Sequence, residues 1–276
     1  MDSTSAQAHH ERARFLADPL GLAGRRFLVT GGSRGLGREI VHLLVAAGAH
    51  VATCARRPEG LRRLEEDVAV TAAAPLYTQA LDVTEPGRLE AFTAAAADRL
   101  GGLDGVVANA GGAHGRDLRS ATAADWAATF DINVVHAQRL VKAALPHLGA
   151  AGGGSAVLIS SISGWKPAPQ AQYGAAKAAL ISMAKSLANE LGPDNIRVNA
   201  VSPGSMLIPG RRWARMQEQD PQAFARFTAQ IPGGQLVTPQ EVARTVVFLL
   251  SPWSSGISGA HIPVDRVQNA PTPDGY

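Results

Sequence analysis

Three observations predict a single α/β domain built on a doubly wound parallel sheet. Short apolar runs alternate with helical patterns along nearly the whole chain, each run stops at a glycine or a polar residue, and the first run passes through a glycine-rich turn straight into a helix. At 276 residues, 46% hydrophobic and 18% charged, the chain can bury one substantial core, which excludes the disordered and fibrous classes. The expected limits are a polar N-terminal extension over 1–24, the domain over 25–265 and a polar tail over 266–276.

Charge and cysteine content narrow the function classes. A net charge of +3 without any run of five Lys/Arg gives nucleic-acid binding little support, and a small anionic ligand accounts better for the mild basic bias. The single Cys54 excludes an internal disulfide and a thiolate metal cluster, which suits a reducing compartment. The N-terminus has acid and histidine where a signal peptide needs base and then an apolar run, and no apolar stretch reaches the ~18 residues of a membrane span. The expectation is a cytoplasmic protein without a membrane partner. His9-His10 reads as a solvated pair.

The first strand, 27–30, runs into Gly31-Gly32-Ser33-Arg34-Gly35-Leu36-Gly37 and then a helical pattern. Glycine there permits a tight turn and lets the backbone approach a pyrophosphate on the helix N-terminus; the same turn also serves as a bare βα connection. The second strand, 50–55, ends in Ala55-Arg56-Arg57. An acid at this strand end would bind the adenosine ribose hydroxyls, but Ala55 stands there, and Arg56 with Arg34 offers two guanidinium groups to a 2′-phosphate. The pattern favours NADP. After a helix over 61–70 and a strand over 76–81, Asp82-Val83 follows, where Asp82 either accepts the adenine amino group or caps the next turn. A helix over 89–100 leads to a strand over 103–108 that stops at Asn109-Ala110-Gly111, small residues that leave room for a cofactor at the sheet edge. Residues 126–148 read as one long helix with Asn133 at its middle, a position that fits either a site residue or a bridge to neighbouring backbone.

The stretch over 155–191 carries the chemistry. An apolar strand breaks into hydroxyls and a glycine, and after a Pro-containing loop Tyr173 and Lys177 stand four residues apart on one helix. The ammonium is expected to lower the tyrosine pKa from its reference of ~10, making Tyr173 a proton donor and acceptor. By itself the pair equally fits the rim of an amphipathic helix. A strand at 196–201 then stops at Ser202-Pro203-Gly204. Residues 205–239 read as an irregular excursion with a short helix near 221–228, the place for substrate specificity. A helix over 240–250 and a strand over 260–264 close the domain.

Taken together, TGGSRGLG (30–37), DV (82–83), NAG (109–111), Asn133, SSISG (160–164), YGAAK (173–177) and RVNAVSPG (197–204) resemble the short-chain dehydrogenases/reductases of the single-domain type, over about 22–265. The resemblance implies a Rossmann fold, Tyr173 as catalytic acid/base, Lys177 holding the nicotinamide ribose, a serine of SSISG on the substrate carbonyl and Asn133 holding a water. It also implies cofactor contacts along Gly31 to Gly37, at Asp82 and Val83, at Asn109 to Gly111, and at Pro203 and Gly204, and a homodimer or homotetramer. Ser161 is chosen over Ser160 because strand register fixes side-chain direction. Two positions depart from the pattern. Ile208 replaces a threonine whose contact Ser205 or backbone would have to supply, and Arg266-Val267 replace two glycines.

The expected function is reduction of a ketone, in a specialised metabolite or a 3-oxoacyl thioester, with NADPH. An NAD-dependent secondary alcohol dehydrogenase is the competing enzyme, disfavoured by Ala55, Arg56 and Arg34. A catalytically idle NADP-binding sensor or scaffold is disfavoured by the intact Tyr173, Lys177, Asn133 and serine pair.

Overall fold

The computed structural model describes residues 18–71, 74–167 and 169–268; the extension through residue 17, with His9-His10, and the tail from 269 lie outside them. Seven strands form one sheet: β1 (Arg26–Thr30), β2 (His50–Ala55), β3 (Leu76–Ala80), β4 (Gly105–Ala108), β5 (Gly154–Ile159), β6 (Ile196–Pro203) and β7 (His261–Val264). Their order is β3-β2-β1-β4-β5-β6-β7, and every pairing is parallel. The order reverses between β1 and β4, which opens a crevice at their carboxyl ends.

Because successive strand residues point to opposite faces, each strand feeds two cores. Leu28, Ala52, Val106, Leu158 and Val198 pack on one face under α3 (Arg88–Leu100), α5 (His136–Ala150) and α6 (Ala171–Leu191). Val29, Val51, Val107, Val157 and Val201 pack on the other, under α1 (Gly35–Ala46), α2 (Pro58–Thr71) and α9 (Pro239–Leu250). Cys54 is part of the first core, where burial pushes its thiol up to about 12 and leaves it an unreactive packing group. Leu22 is fully buried and the Gly24 N–H donates to the Gly48 carbonyl, so the packed body begins before residue 25.

The long helix expected over 126–148 is interrupted. It comprises α4 (Ala123–Phe130), a π turn (Asp131–Val135) and α5. The cause lies in Asn133, whose Nδ2 donates to the Thr129 carbonyl at 2.7 Å, the acceptor an α-helix reserves for the backbone N–H of residue 133. Within 205–239 the chain forms two short helices, α7 (Arg212–Gln219) and α8 (Pro221–Thr228), the second capped by the Asp220 side chain on the Ala223 N–H. Trp213 and Phe227 stack at 4.0 Å between centroids and join the two helices into one lid. Only Ala214 of α7 is buried, so the apolar pattern that marks a helix in sequence is weak there.

Both ends of the lid are held by the C-terminal turn. Gln268 accepts from the Ser205 N–H at 2.8 Å and donates to its hydroxyl at 2.9 Å. At the far end Arg266 pairs with Glu241 at 2.6 Å and reaches Gln235 at 3.1 Å. That arginine and the Thr238 cap hold the Glu241 carboxyl down to about 2. Arg266 and Val267 keep the left-handed conformation that glycines would adopt freely, with φ of +52° and +66°, at a cost of about 1 kcal/mol or more each.

Candidate active site

The glycine turn between β1 and α1 is a cradle with no room for side chains. Gly31 and Gly35 have φ of +76° and +55°, and a Cβ on Gly37 would lie 2.3 Å from the Gly31 carbonyl oxygen. Ser33 and Arg34 form the turn's outer edge, while Leu36 is buried beneath it. Helix α1 has no acidic residue in its first turn and no side-chain cap, so its leading amides are open to an anion. Asn109 supports this turn from below: its Nδ2 donates to the Thr30 carbonyl at 2.9 Å. The Thr30 hydroxyl accepts from the N–H groups of Asn109 and Ala110, both at 3.1 Å, and lies 3.0 Å from Nε2 of His136. Burial pushes His136 down to about 3, so it serves as a neutral prop. Neither Thr30 nor His136 stood out in the sequence; each acts only through this packing.

Asp82 caps its own turn. Oδ1 accepts from the Thr84 N–H at 3.0 Å and the Thr84 hydroxyl at 2.7 Å, and Oδ2 stands 4.0 Å from Arg56 Nη1. Burial works to raise its pKa, but Thr84 and the Arg56 charge outweigh it and hold the carboxyl below its ordinary range. Val83 is buried, and its carbonyl accepts from Arg139 at 3.0 Å. Pro203 and Gly204 end β6, where a Cβ on Gly204 would meet Asp265 Cβ at 2.7 Å. The Ser205 N–H and hydroxyl are both bonded to Gln268, which ties this segment to the C-terminal turn.

The SSISG segment and α6 meet by close backbone contact. A Cβ on Gly164 would lie 2.9 Å from the Lys177 carbonyl carbon, and one on Gly174 would lie 2.9 Å from the Ser163 carbonyl oxygen. The two serines diverge as strand alternation requires. Ser160 is buried and donates to the Lys177 carbonyl at 2.7 Å, whereas the Ser161 hydroxyl accepts from the Ser163 N–H at 3.1 Å and stands on the Tyr173 side, where it opposes the rise in the phenol's pKa. Lys177 is buried with Nζ donating to the Ile159 carbonyl at 2.7 Å and 5.5 Å from the Tyr173 ring centroid.

Gly111 separates two further groups. A Cβ there would meet Asn133 Oδ1 at 2.7 Å and Lys177 Nζ at 3.3 Å. Asn133 Nδ2 also donates to the Gly112 carbonyl at 2.7 Å, so this side chain does bridge to backbone. Its Oδ1 carries only a 3.4 Å bond from the Gly112 N–H and retains acceptor capacity.

The pKa relation between Tyr173 and Lys177 is the reverse of the sequence expectation. Burial raises the Tyr173 phenol, with the Ser161 hydrogen bond opposing it, and burial lowers Lys177 to about 7. An ammonium that is half neutral near pH 7 does little to stabilise a phenolate, and desolvation wins.

Residues 31–266 match the family model described as Enoyl-(Acyl carrier protein) reductase. The chain is 33% identical to the 3-oxoacyl-[acyl-carrier-protein] reductase of Vibrio cholerae over 247 residues, covering 89% of this chain and 98% of that protein. The chain belongs to the short-chain dehydrogenase/reductase family. It is 36% identical over 251 residues to the isoepoxydon dehydrogenase of Penicillium expansum, covering 89% of this chain and 95% of the relative. Its fold matches the L-sorbose reductase of Gluconobacter frateurii, solved with NADPH and L-sorbose, with a TM-score of 0.85 at 27% identity over 91% of this chain and 99% of that one. As a short-chain dehydrogenase/reductase the protein is an oxidoreductase of the alcohol/ketone couple, in a family that uses nicotinamide cofactors. Among the described residues no helix is long and apolar enough to cross a membrane.

Proposed function

We propose that this short-chain dehydrogenase/reductase reduces a ketone to a secondary alcohol with NADPH. The observation that carries the reading is the meeting of Ser161, Tyr173 and Lys177 beside the glycine cradle. The cradle fits a dinucleotide: Gly31, Gly35 and Gly37 exclude side chains, Arg34 and Arg56 flank it, and no carboxylate stands at Ala55 to prefer an unphosphorylated ribose. When bound, the reduced nicotinamide supplies the hydride.

The chain's own residues supply binding and the proton. Burial keeps the Tyr173 phenol protonated at neutral pH, the state a proton donor to a carbonyl oxygen needs. The Ser161 hydroxyl, on the Tyr173 side of the segment, offers a second hydrogen bond to the same oxygen and stabilises the charge that develops there. Lys177, lowered to about 7, exchanges a proton readily near neutrality and so suits the refilling of Tyr173. Asn133 Oδ1 is the acceptor that orders a water on this route. A homo-oligomer assembled through the α4–α5 segment, α6 and the β7 edge follows from the same family membership.

Two substrate classes fit the relatives' names: 3-oxoacyl thioesters and compact cyclic or polyhydroxy ketones. The test is NADPH oxidation, followed by absorbance, against a panel containing both, with NADH as control. Consumption of NADPH with either class supports the reading and selects the substrate. Turnover supported only by NADH, or tight NADPH binding with no ketone reduced, counts against it.

A further inference from the structure

The lid brings a cationic residue to the nucleotide end of the crevice. Ile208, Pro209, Gly210 and Arg211 form a tight turn: the Arg211 N–H donates to the Ile208 carbonyl at 3.0 Å and Gly210 has φ of +68°. Proline second and a left-handed glycine third are what a type II turn requires, so the direction in which Arg211 leaves the chain is set locally. The turn rests on the cradle. A Cβ on Gly35 would lie 3.2 Å from Ile208 Cδ1, so the side chain in the place of the usual threonine packs on the glycine beside Arg34.

Arg211 thereby joins Arg34, Arg56 and Arg57. In keeping with that contact, burial and then the charges of Arg211, Arg57 and Arg56, in that order, lower the Arg34 pKa. Among the described residues the ion pair that reaches this group within 4.0 Å is Asp82 with Arg56, at 4.0 Å, and the other Asp82 oxygen is spent on Thr84. Among the described residues no ion pair within 4.0 Å involves Arg34, Arg57 or Arg211. Arg212 beside it is engaged elsewhere, over the Trp213 ring at 4.7 Å, and Arg211 is the lid arginine whose charge acts on Arg34. Like charges gathered without a counter-charge repel, and a doubly charged phosphomonoester reverses the sign of that interaction.

We propose that Arg211 is a ligand of the cofactor's 2′-phosphate, so that the phosphorylated cofactor holds the substrate lid against the nucleotide site. The proposal rests on the NADPH reading and adds to it a residue from the substrate side of the crevice. Specificity for the cofactor and closure over the ketone would then share one contact.

Calorimetric titration of the full chain with adenosine 2′,5′-bisphosphate and with 5′-AMP tests this without turnover, on the unaltered protein, Arg211→Ala and Arg56→Ala. Arg211 is exposed, and its removal leaves the fold intact. The expected result is a loss of about tenfold in bisphosphate affinity in Arg211→Ala, with 5′-AMP changed by less than about twofold. An equal loss for both ligands would place Arg211 on the 5′-phosphate side and overturn the proposal. So would no loss in Arg211→Ala while Arg56→Ala is weakened, a result that leaves the NADPH reading standing. If the unaltered protein binds both ligands equally well, the NADPH reading itself falls, and the proposal with it.

Discussion

Two polar clusters sit at the carboxyl edge of the same sheet and are stabilised in opposite ways. Around α6, Ser160, Ser161, Lys177 and Asn133 are buried or half-buried and nearly every polar atom has a partner in the chain itself. Around the glycine turn, Arg34, Arg56, Arg57 and Arg211 are exposed, and Asp82 at 4.0 Å from Arg56 is the one carboxylate that approaches them. The difference separates two tasks. Groups that move a proton need fixed geometry and a tuned pKa, which burial and internal hydrogen bonds provide. Groups that recognise an anion gain most when their counter-charge is absent until the ligand brings it.

The largest expected effect lies in the buried cluster. Tyr173→Phe should lower kcat by about a thousandfold while the Kd for NADPH, read by fluorescence titration, stays within about twofold. Turnover within tenfold of the unaltered enzyme would remove Tyr173 from the proton-donor role. The two serines sharpen the comparison further. Ser161→Ala should cost about a hundredfold in kcat/KM with little change in Tm. Ser160→Ala should instead lower stability by about 1–2 kcal/mol through the lost buried hydrogen bond to the Lys177 carbonyl and spare kcat. The reverse pattern would show that the strand alternation has been read the wrong way.

The buried cluster also carries a pH linkage. Lys177 has a folded pKa of about 7 against 10.5 in the open chain, so between those values the unfolded state binds more protons and stability rises with pH. Below about 7 both states are protonated and the burial penalty is felt in full. Urea unfolding from about pH 7 to pH 9 should show a rise approaching 1.4 kcal/mol per pH unit that Lys177→Met removes. Identical slopes in the two proteins would mean that Lys177 keeps an ordinary pKa.

What was legible in the sequence follows the same division. The strands themselves, the glycine turn and the shared helix of Tyr173 and Lys177 depend on local periodicity and spacing, and the structure forms them where those patterns lead, whereas the order of the strands is a tertiary property that no local pattern carries. The π turn escaped because Asn133 alters the helix only through its bonds to Thr129 and Gly112. The direction of the Tyr173 shift escaped because it depends on depth of burial, which a four-residue spacing does not reveal. Arg57 and Arg211 were visible as charges, but their convergence on Arg34 depends on a lid that lies about 150 residues further along the chain. The helix Arg212–Gln219 was read as loop because Pro209-Gly210 and a polar surface masked it.

The central claim is that the exposed basic cluster completes itself with the 2′-phosphate while the buried cluster works independently of it. The most direct measurement is kcat/KM for NADPH and for NADH as NaCl is raised from about 0.01 M to about 0.5 M. Salt screens exposed charges and leaves buried ones largely untouched. NADPH should therefore be preferred by at least about tenfold at low salt, with the preference falling as salt rises and kcat unchanged. Equal use of both cofactors, a preference for NADH, or a preference indifferent to salt would contradict the account.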